Sequence, residues 1–246
     1  MGETTRAALI TGGAGGIGAA IAERLRAQGA AVWIADRDEA AVCETARRLG
    51  AIPLVLDVSS PESLNDAAAR LPETLDVLVA SAAVAGGPGL SAETVRAVLD
   101  VNVAGVAAIV EAALPALRRS AAPRVLTIGS VQATRAGGGS PAYVASKGAV
   151  HALTRALAVD LALDGILVNA LAPGFVDTAM ALLPDGTSEY DTDWFQEVYV
   201  GHGGVPLRRP ARPEEVAAAA DFFLSPANTY VTGAVLAVDG GLTAAL

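Results

Sequence analysis

Tyr143 and Lys147 stand four residues apart in the stretch Ser140-Pro141-Ala142-Tyr143-Val144-Ala145-Ser146-Lys147-Gly148. On a helix, that spacing puts the phenol and the ammonium one above the other on the same face. A phenol titrates near pH ~10, and a neighbouring ammonium favours its ionised form. Such a pair can move a proton onto or off an alcohol near neutral pH. The same spacing also describes an ordinary solvated helix face, so the surrounding elements must decide between the two.

Of the 246 residues, 52% are hydrophobic and 17% charged, which is enough apolar material for one sizeable core and one domain spanning 1–246. A formal net charge of -9 gives no electrostatic footprint for nucleic acid or an anionic membrane. Cys43 is the single cysteine, so neither an intramolecular disulfide nor a thiolate cluster for zinc can form, and no metal is expected. Arg6 followed by a glycine-rich stretch does not resemble a secretory signal. Apolar runs are broken by Glu, Asn, Gly or Pro before reaching the roughly 18 residues of a membrane span. A cytoplasmic protein with a small-molecule substrate is the expectation.

Short β-branched runs alternate with longer Ala/Leu/Arg/Glu segments. Strands are predicted at 7–11, 31–35, 52–56, 76–80, 124–128, 167–170 and 235–238, and helices at 16–28, 39–49, 61–71, 92–118, 143–163 and 213–224. Near-continuous apolar strands alternating with helices imply a seven-stranded parallel sheet covered on both faces. The irregular region lies at 176–210.

The first strand runs into Thr11-Gly12-Gly13-Ala14-Gly15-Gly16-Ile17-Gly18, and a helix follows at once. Glycines there let the backbone turn tightly and approach a pyrophosphate whose charge sits on the helix N-terminus. Asp36 ends the second strand 18 residues after Gly18, where a carboxylate can accept from a ribose diol and repel a 2′-phosphate. The expected architecture is thus α/β, a three-layer doubly wound Rossmann fold, with Gly12, Gly15, Gly16, Ile17 and Asp36 binding the cofactor. NAD is preferred over NADP, a preference tempered by Arg37 alongside. Asp57-Val58, closing the third strand, is either a plain loop acid before the helix start Ser59-Ser60-Pro61-Glu62 or a contact for the adenine amino group.

Together with Ser130, Tyr143 and Lys147, these residues resemble the short-chain dehydrogenase/reductase family in its short single-domain form, from Ala7 to Gly241. Its T-G-x-x-x-G-x-G is matched by Thr11 through Gly18, its Y-x-x-x-K by Tyr143 and Lys147, and its catalytic serine by Ser130. Its helical asparagine is matched by Asn102, its P-G-x-x-x-T by Pro173 through Thr178, and its closing V-D-G-G by Val238 through Gly241. Where the family usually carries Asn-Asn-Ala-Gly, this chain has Ala80-Ser81-Ala82-Ala83. Hydrogen bonding there must differ, and Ser81 is carried over as a cofactor neighbour.

The resemblance implies hydride transfer between NAD and a secondary alcohol, with Tyr143 as general acid/base and Ser130 fixing the reacting oxygen. For that work the Tyr143 phenol must be lowered by about two units. The resemblance also implies that Lys147 holds the ribose, that Asn102 holds a relay water, and that Val176 and Thr178 meet the nicotinamide carboxamide. Asn102 can equally be a helix-kinking residue satisfied by backbone.

The family places a substrate lid at 176–210. Half of the chain's aromatics fall between Phe175 and Tyr199, and Trp194, Phe195 and Tyr199 read as packing residues of a short amphipathic helix. Gln132 and Ser140 are the candidate polar lining of the substrate pocket. Acids at 177, 185, 189, 191, 193 and 197 disfavour a polyanionic substrate or an acidic carrier protein. A small alcohol or ketone of polyol, sugar or aryl carbinol type is expected. The alternatives are a 3-oxoacyl thioester reductase and, of another class, a cofactor-binding regulator without chemistry. The helices at 92–118 and 143–163 carry apolar residues on more than one face, with small residues at Ala104, Gly105, Ala107, Ala108, Ala112 and Ala113. Burial against a second subunit follows, and the family resemblance implies a homotetramer, or a dimer.

Overall fold

A computed structural model describes residues 5–87, 89–136 and 140–245; the remainder of the expected 1–246 domain lies outside the described residues. Seven strands are present: β1 (Ala7–Thr11), β2 (Ala31–Asp36), β3 (Ile52–Val55), β4 (Val77–Ala80), β5 (Arg124–Ile128), β6 (Leu167–Pro173) and β7 (Val235–Val238). They form one sheet in the order β3-β2-β1-β4-β5-β6-β7, with every neighbouring pair parallel. The helices are α1 (Gly16–Ala27), α2 (Glu39–Leu49), α3 (Pro61–Ala68), α4 (Ala92–Leu99), α5 (Gly105–Leu117), α6 (Pro141–Asp160), α7 (Asp193–Phe195) and α8 (Pro213–Leu224).

β1 and β5 are buried at every residue, as strands covered on both faces must be. Successive side chains go to opposite faces. Ile10 joins Ile21, Val42, Val216 and Phe223 from α1, α2 and α8, whereas Leu9 joins Ala67, Ile109, Leu117 and Ala158 from α3, α5 and α6. Asp38 caps α2 by accepting from Ala41 N, and Ser60 caps α3 ahead of Pro61 by accepting from Ser63 N. The chain winds outward from β1 to β3 and then returns to lay β4 on the other side of β1. That reversal opens a crevice at the carboxyl ends of β1 and β4, where open α/β sheets bind ligands.

The long helix expected at 92–118 is interrupted. A π turn at Asp100–Ala104 joins α4 to α5. Within it the buried Asn102 bonds the backbone of Val84, with Val84 N donating to Oδ1 at 2.8 Å and Nδ2 donating to Val84 O at 2.9 Å. A π turn admits one extra residue per turn and so aims this amide sideways out of the helix ladder. Ala92–Leu117 is also long and apolar enough to match a membrane crossing by length and composition, with an 18-residue window of mean hydropathy 1.8. Asn102, Gly105 and Glu111 break the run, as the sequence shows, but the surrounding Val, Ile, Leu and Ala keep the mean high. In the fold, the Ile109, Val110, Ala113 and Leu117 face of this helix is consumed by the sheet.

Candidate active site

The glycine-rich turn is built by backbone needs. Gly12 and Gly16 sit at φ 64° and 53°, the left-handed region that favours glycine. A Cβ on Gly12 would come within 2.9 Å of the Ala82 backbone, so β1 and the segment after β4 meet glycine to backbone. Gly15 is different: a Cβ there would meet nothing within 4 Å. Gly15 also precedes α1 with no side-chain cap, and the first turn of α1 carries no acid. Open space in front of uncapped N–H groups is the cradle a pyrophosphate requires, so the residues fit a dinucleotide.

A cleft of about 220 Å³ continues from Gly12 past Asp36, Arg37, Asp57, Val58 and Val84. Asp36 accepts only long bonds, from Ala14 N at 3.4 Å and Asp38 N at 3.3 Å, which leaves capacity for a ribose diol. Asp57 lies two residues beyond β3 and does not close the strand as expected. Its Oδ1 accepts from Ser59 Oγ at 2.6 Å and Ser59 N at 2.9 Å, and these bonds, with Arg37 contributing, hold its carboxyl below the usual range. The altered segment after β4 is pinned by Thr11, whose hydroxyl accepts from Ser81 N at 3.1 Å and Ala82 N at 3.2 Å. Strand backbone can thus be held from β1, without the usual asparagines.

At the same edge of the sheet, Ser130 follows β5 and its Oγ accepts from Gln132 N at 3.1 Å. Tyr143 and Lys147 occupy the first turns of α6, which starts earlier than predicted because Pro141 suits a first helical position. The Lys147 ammonium lies 5.4 Å from the centroid of the Tyr143 ring and donates to Ile128 O at 2.7 Å. Lys147 is therefore buried, and burial pulls it down to about 8. Burial also pushes the Tyr143 phenol up, with Ser130 working in the opposite direction. The lowered phenol that the chemistry asks for is not delivered by these side chains alone, because the ammonium faces the ring and a carbonyl instead of the phenol oxygen. Gln132 lies in the 3-10 turn Val131–Ala133 and Ser140 immediately precedes α6; both are half-buried beside this edge.

Asn102 sits behind the pair. Beyond Val84, its Nδ2 donates to Ser146 Oγ at 3.0 Å, and Ser146 Oγ donates to Tyr143 O at 2.7 Å. The backbone-satisfied reading describes this amide, whose oxygen and nitrogen both bond Val84. Sequence reasoning missed Ser146, although a small polar residue inside Y-x-x-x-K facing a buried Asn was a signal. It also missed His151, one turn beyond Lys147 and packed under Gly129, whose Nε2 has no hydrogen-bond partner among the described residues.

Val176 and Thr178 flank the other end of the cradle: a Cβ on Gly16 would lie 3.3 Å from Thr178 Cγ2. Beyond them the segment 176–210, the expected lid, holds a small core of Ala181, Tyr190 and Phe195, with Phe175, Tyr199 and Val200 against it. Phe195 and Tyr199 pack as expected, but α7 has only three residues and continues as a π turn, Gln196–Gly201. Trp194 is 62% exposed and touches only the rim of this core through Tyr199. Among the described residues no group of three or more His, Cys, Asp or Glu side chains converges as a metal site.

The sequence of residues 12–243 matches the family model described as enoyl-(acyl carrier protein) reductase. Galactitol 2-dehydrogenase (L-tagatose-forming) of Cereibacter sphaeroides is 39% identical, over 96% of this chain and 94% of that protein. The RhlG/NADP active-site complex of Pseudomonas aeruginosa superposes with a TM-score of 0.86 at 36% identity, covering 98% of this chain and 97% of that one. The 3-ketoacyl-(acyl-carrier-protein) reductase of Brucella melitensis complexed with NADH does so at 0.86 and 28% identity, covering 97% and 98%. A doubly wound parallel sheet, a glycine cradle at its switch point and full-length likeness to these oxidoreductases make this chain a member of the short-chain dehydrogenase/reductase family.

Proposed function

We propose that this oxidoreductase, one domain over 1–246 with a lid at 176–210, transfers a hydride between NAD(H) and a small secondary alcohol or its ketone. Polyols, sugars and aryl carbinols are the substrate types in view. The observation carrying this reading is that the glycine cradle with Asp36 follows the carboxyl ends of β1 and β2, and that Lys147, one turn beyond Tyr143, bonds the last residue of β5 at the same edge of the sheet.

When bound, the dinucleotide supplies or accepts the hydride, which no side chain here can do. Gly12, Gly15, Gly16 and Ile17 hold its phosphates. Asp36 with Arg37 meets the adenosine ribose, Asp57 and Val58 the adenine, and Ser81, Val176 and Thr178 the remaining half. Lys147 holds the second ribose and Ser130 bonds the substrate oxygen. Tyr143 gives that oxygen a proton in reduction and takes it in oxidation. Asn102 acts at one remove, fixing Val84 and, through Ser146, the start of α6. Gln132 and Ser140 line the polar side of the substrate pocket.

NAD is favoured because a carboxylate at Asp36 repels a 2′-phosphate. A polyol-type substrate is supported by likeness to galactitol 2-dehydrogenase and by an acidic lid. The second reading, a 3-oxoacyl thioester reductase, rests on likeness to the Brucella enzyme; against it stand the acids at 177, 185, 189, 191, 193 and 197, which disfavour an acidic carrier protein. Cytoplasmic residence and a homotetramer or dimer complete the proposal. Gly105 and Ala113 are used by the chain's own core, whereas Ala104 and Ala107 face outward, as do Val159 and Leu163 at the end of the α6 region. The test is a panel of secondary alcohols, ketones and acetoacetyl thioesters followed by NADH absorbance. Faster turnover with NADP(H) overturns the cofactor half, turnover of thioesters alone overturns the substrate half, and a monomeric mass by light scattering overturns the assembly.

A further inference from the structure

Val176 offers a ligand site made only of backbone. It forms a parallel bridge with Ala211, in which Ala211 N donates to Phe175 O at 2.8 Å and Asp177 N donates to Ala211 O at 2.9 Å. In such a bridge the groups of the flanking residues face the partner, and the N–H and C=O of Val176 itself face the opposite side. There both are taken by a single atom of the lid. The Tyr190 hydroxyl accepts from Val176 N at 3.0 Å and donates to Val176 O at 3.0 Å.

An adjacent donor and acceptor on one extended residue is what a primary carboxamide matches, oxygen to N–H and NH₂ to C=O. Thr178, two residues on, lies against Gly16 of the phosphate cradle. A dinucleotide whose phosphates sit at Gly15–Gly16 therefore brings its nicotinamide end to this neighbourhood, and the carboxamide is the group there with a donor beside an acceptor. We propose that the Tyr190 hydroxyl is an internal stand-in for the nicotinamide carboxamide, satisfying Val176 when that end is away and displaced when it docks. The inference rests on the dinucleotide reading above.

Tyr190 is built for this. It is 7% exposed, stands edge-on to Phe175 at 5.9 Å and packs on Phe195 at 4.8 Å. Its backbone is held at both ends, with N–H donating to Ser188 Oγ at 3.2 Å and C=O accepting from Gln196 Nε2 at 2.7 Å. Burial and the neighbouring Glu189 push its phenol up, so it keeps the proton it donates. Buried backbone groups must be paired, and an exchange of phenol for carboxamide keeps them paired in both states. Because the ring belongs to the aromatic core of the lid, the exchange couples the arrival of the nicotinamide end to lid movement.

The test compares NADH with ADP-ribose, which has the cradle-binding half but no carboxamide, by titration calorimetry on wild type and Tyr190→Phe. Removing the competing hydroxyl and its two hydrogen bonds is expected to tighten NADH about tenfold and leave ADP-ribose unchanged. Unchanged or weaker NADH binding overturns the proposal, as does an equal change for both ligands. Failure of the wild type to bind ADP-ribose instead removes the dinucleotide reading, and the proposal with it. Should the variant not fold, stopped-flow NADH binding to the wild type decides. A rate that levels off with concentration supports release of Tyr190 before docking, and a rate that stays linear overturns it.

Discussion

The glycine-rich turn and the segment 176–210, proposed here as phosphate cradle and lid, have opposite construction. The cradle hangs from the ends of β1 and β4, strands buried on every residue, and its shape is set by glycine dihedrals and backbone contact. The lid has almost no regular structure and is held by a cluster in which four of its aromatic rings join Phe175, the residue just before it. One half is tied into the global core through its strands; the other has a small core of its own beside its Val176 anchor, so it is expected to open separately. On the proposed function, the half that would bind the constant part of the chemistry is the one fixed by the fold, and substrate choice would be left to the half that is not.

The largest expected effect separates chemistry from binding within the rigid half. Tyr143→Phe removes the proton carrier and leaves the cradle intact, so kcat should fall about 10³-fold while the NADH dissociation constant changes little. Steady-state rates and fluorescence titration check it. Retained turnover would assign the proton transfer elsewhere.

A pair of core truncations tests the comparison directly. Ile10→Ala, in β1, should cost about 2–5 kcal/mol of global stability in urea unfolding. Phe195→Ala removes a larger, equally buried side chain, yet should leave the midpoint for the sheet nearly unchanged. Its effect should appear as lost hydrogen-exchange protection between residues 189 and 200 and as a raised KM. An equal loss of global stability in both variants would make lid and core one cooperative unit.

Within the rigid half, Asp36 is the residue proposed to select the cofactor. Asp36→Asn should improve NADP(H) relative to NAD(H) by about 100-fold in kcat/KM, since a like charge facing a phosphate costs several kcal/mol. Ratios measured with both cofactors on one substrate check it, and an unchanged ratio would shift the selection to another group in the cleft.

The same contrast explains what could be read from the sequence. Strand positions, most helix starts and the cradle were legible because burial on both faces and left-handed turns restrict residue types strongly, as at Ala7–Thr11 and Gly12. The π turn at Asp100–Ala104 was not, because it depends on Asn102 meeting Val84, 18 positions away in sequence. Thr11 pinning Ser81 and Ala82 was hidden for the same reason, a partnership between strand ends that only the topology creates. In the lid the aromatics stood out as a group, but composition could not give their pairing, nor set Tyr190 apart from its neighbours. Only the bridge between Val176 and Ala211 aims a donor and acceptor at that one ring.

The smallest effect concerns the lysine at the centre of the rigid half. Burial pulls Lys147 from 10.5 down to about 8. Its folded value lies below its unfolded one, so between about pH 8 and 10.5 the native state holds fewer protons and stability rises with pH. Below that window both states are protonated and the full cost of the buried charge is present, roughly 3 kcal/mol. Lys147→Met removes this cost but also the hydrogen bond to Ile128 O, worth about 1–1.5 kcal/mol. The variant should thus be inactive yet more stable at pH 7 by roughly 1–2 kcal/mol, or about 3–6 °C in Tm. The advantage should shrink as the pH approaches about 10, where the wild-type lysine is already neutral in the fold. Calorimetric scans at both pH values check the sign. A variant less stable at pH 7 would mean that the ammonium is held by more than one carbonyl and that the rigid half is built around its charge.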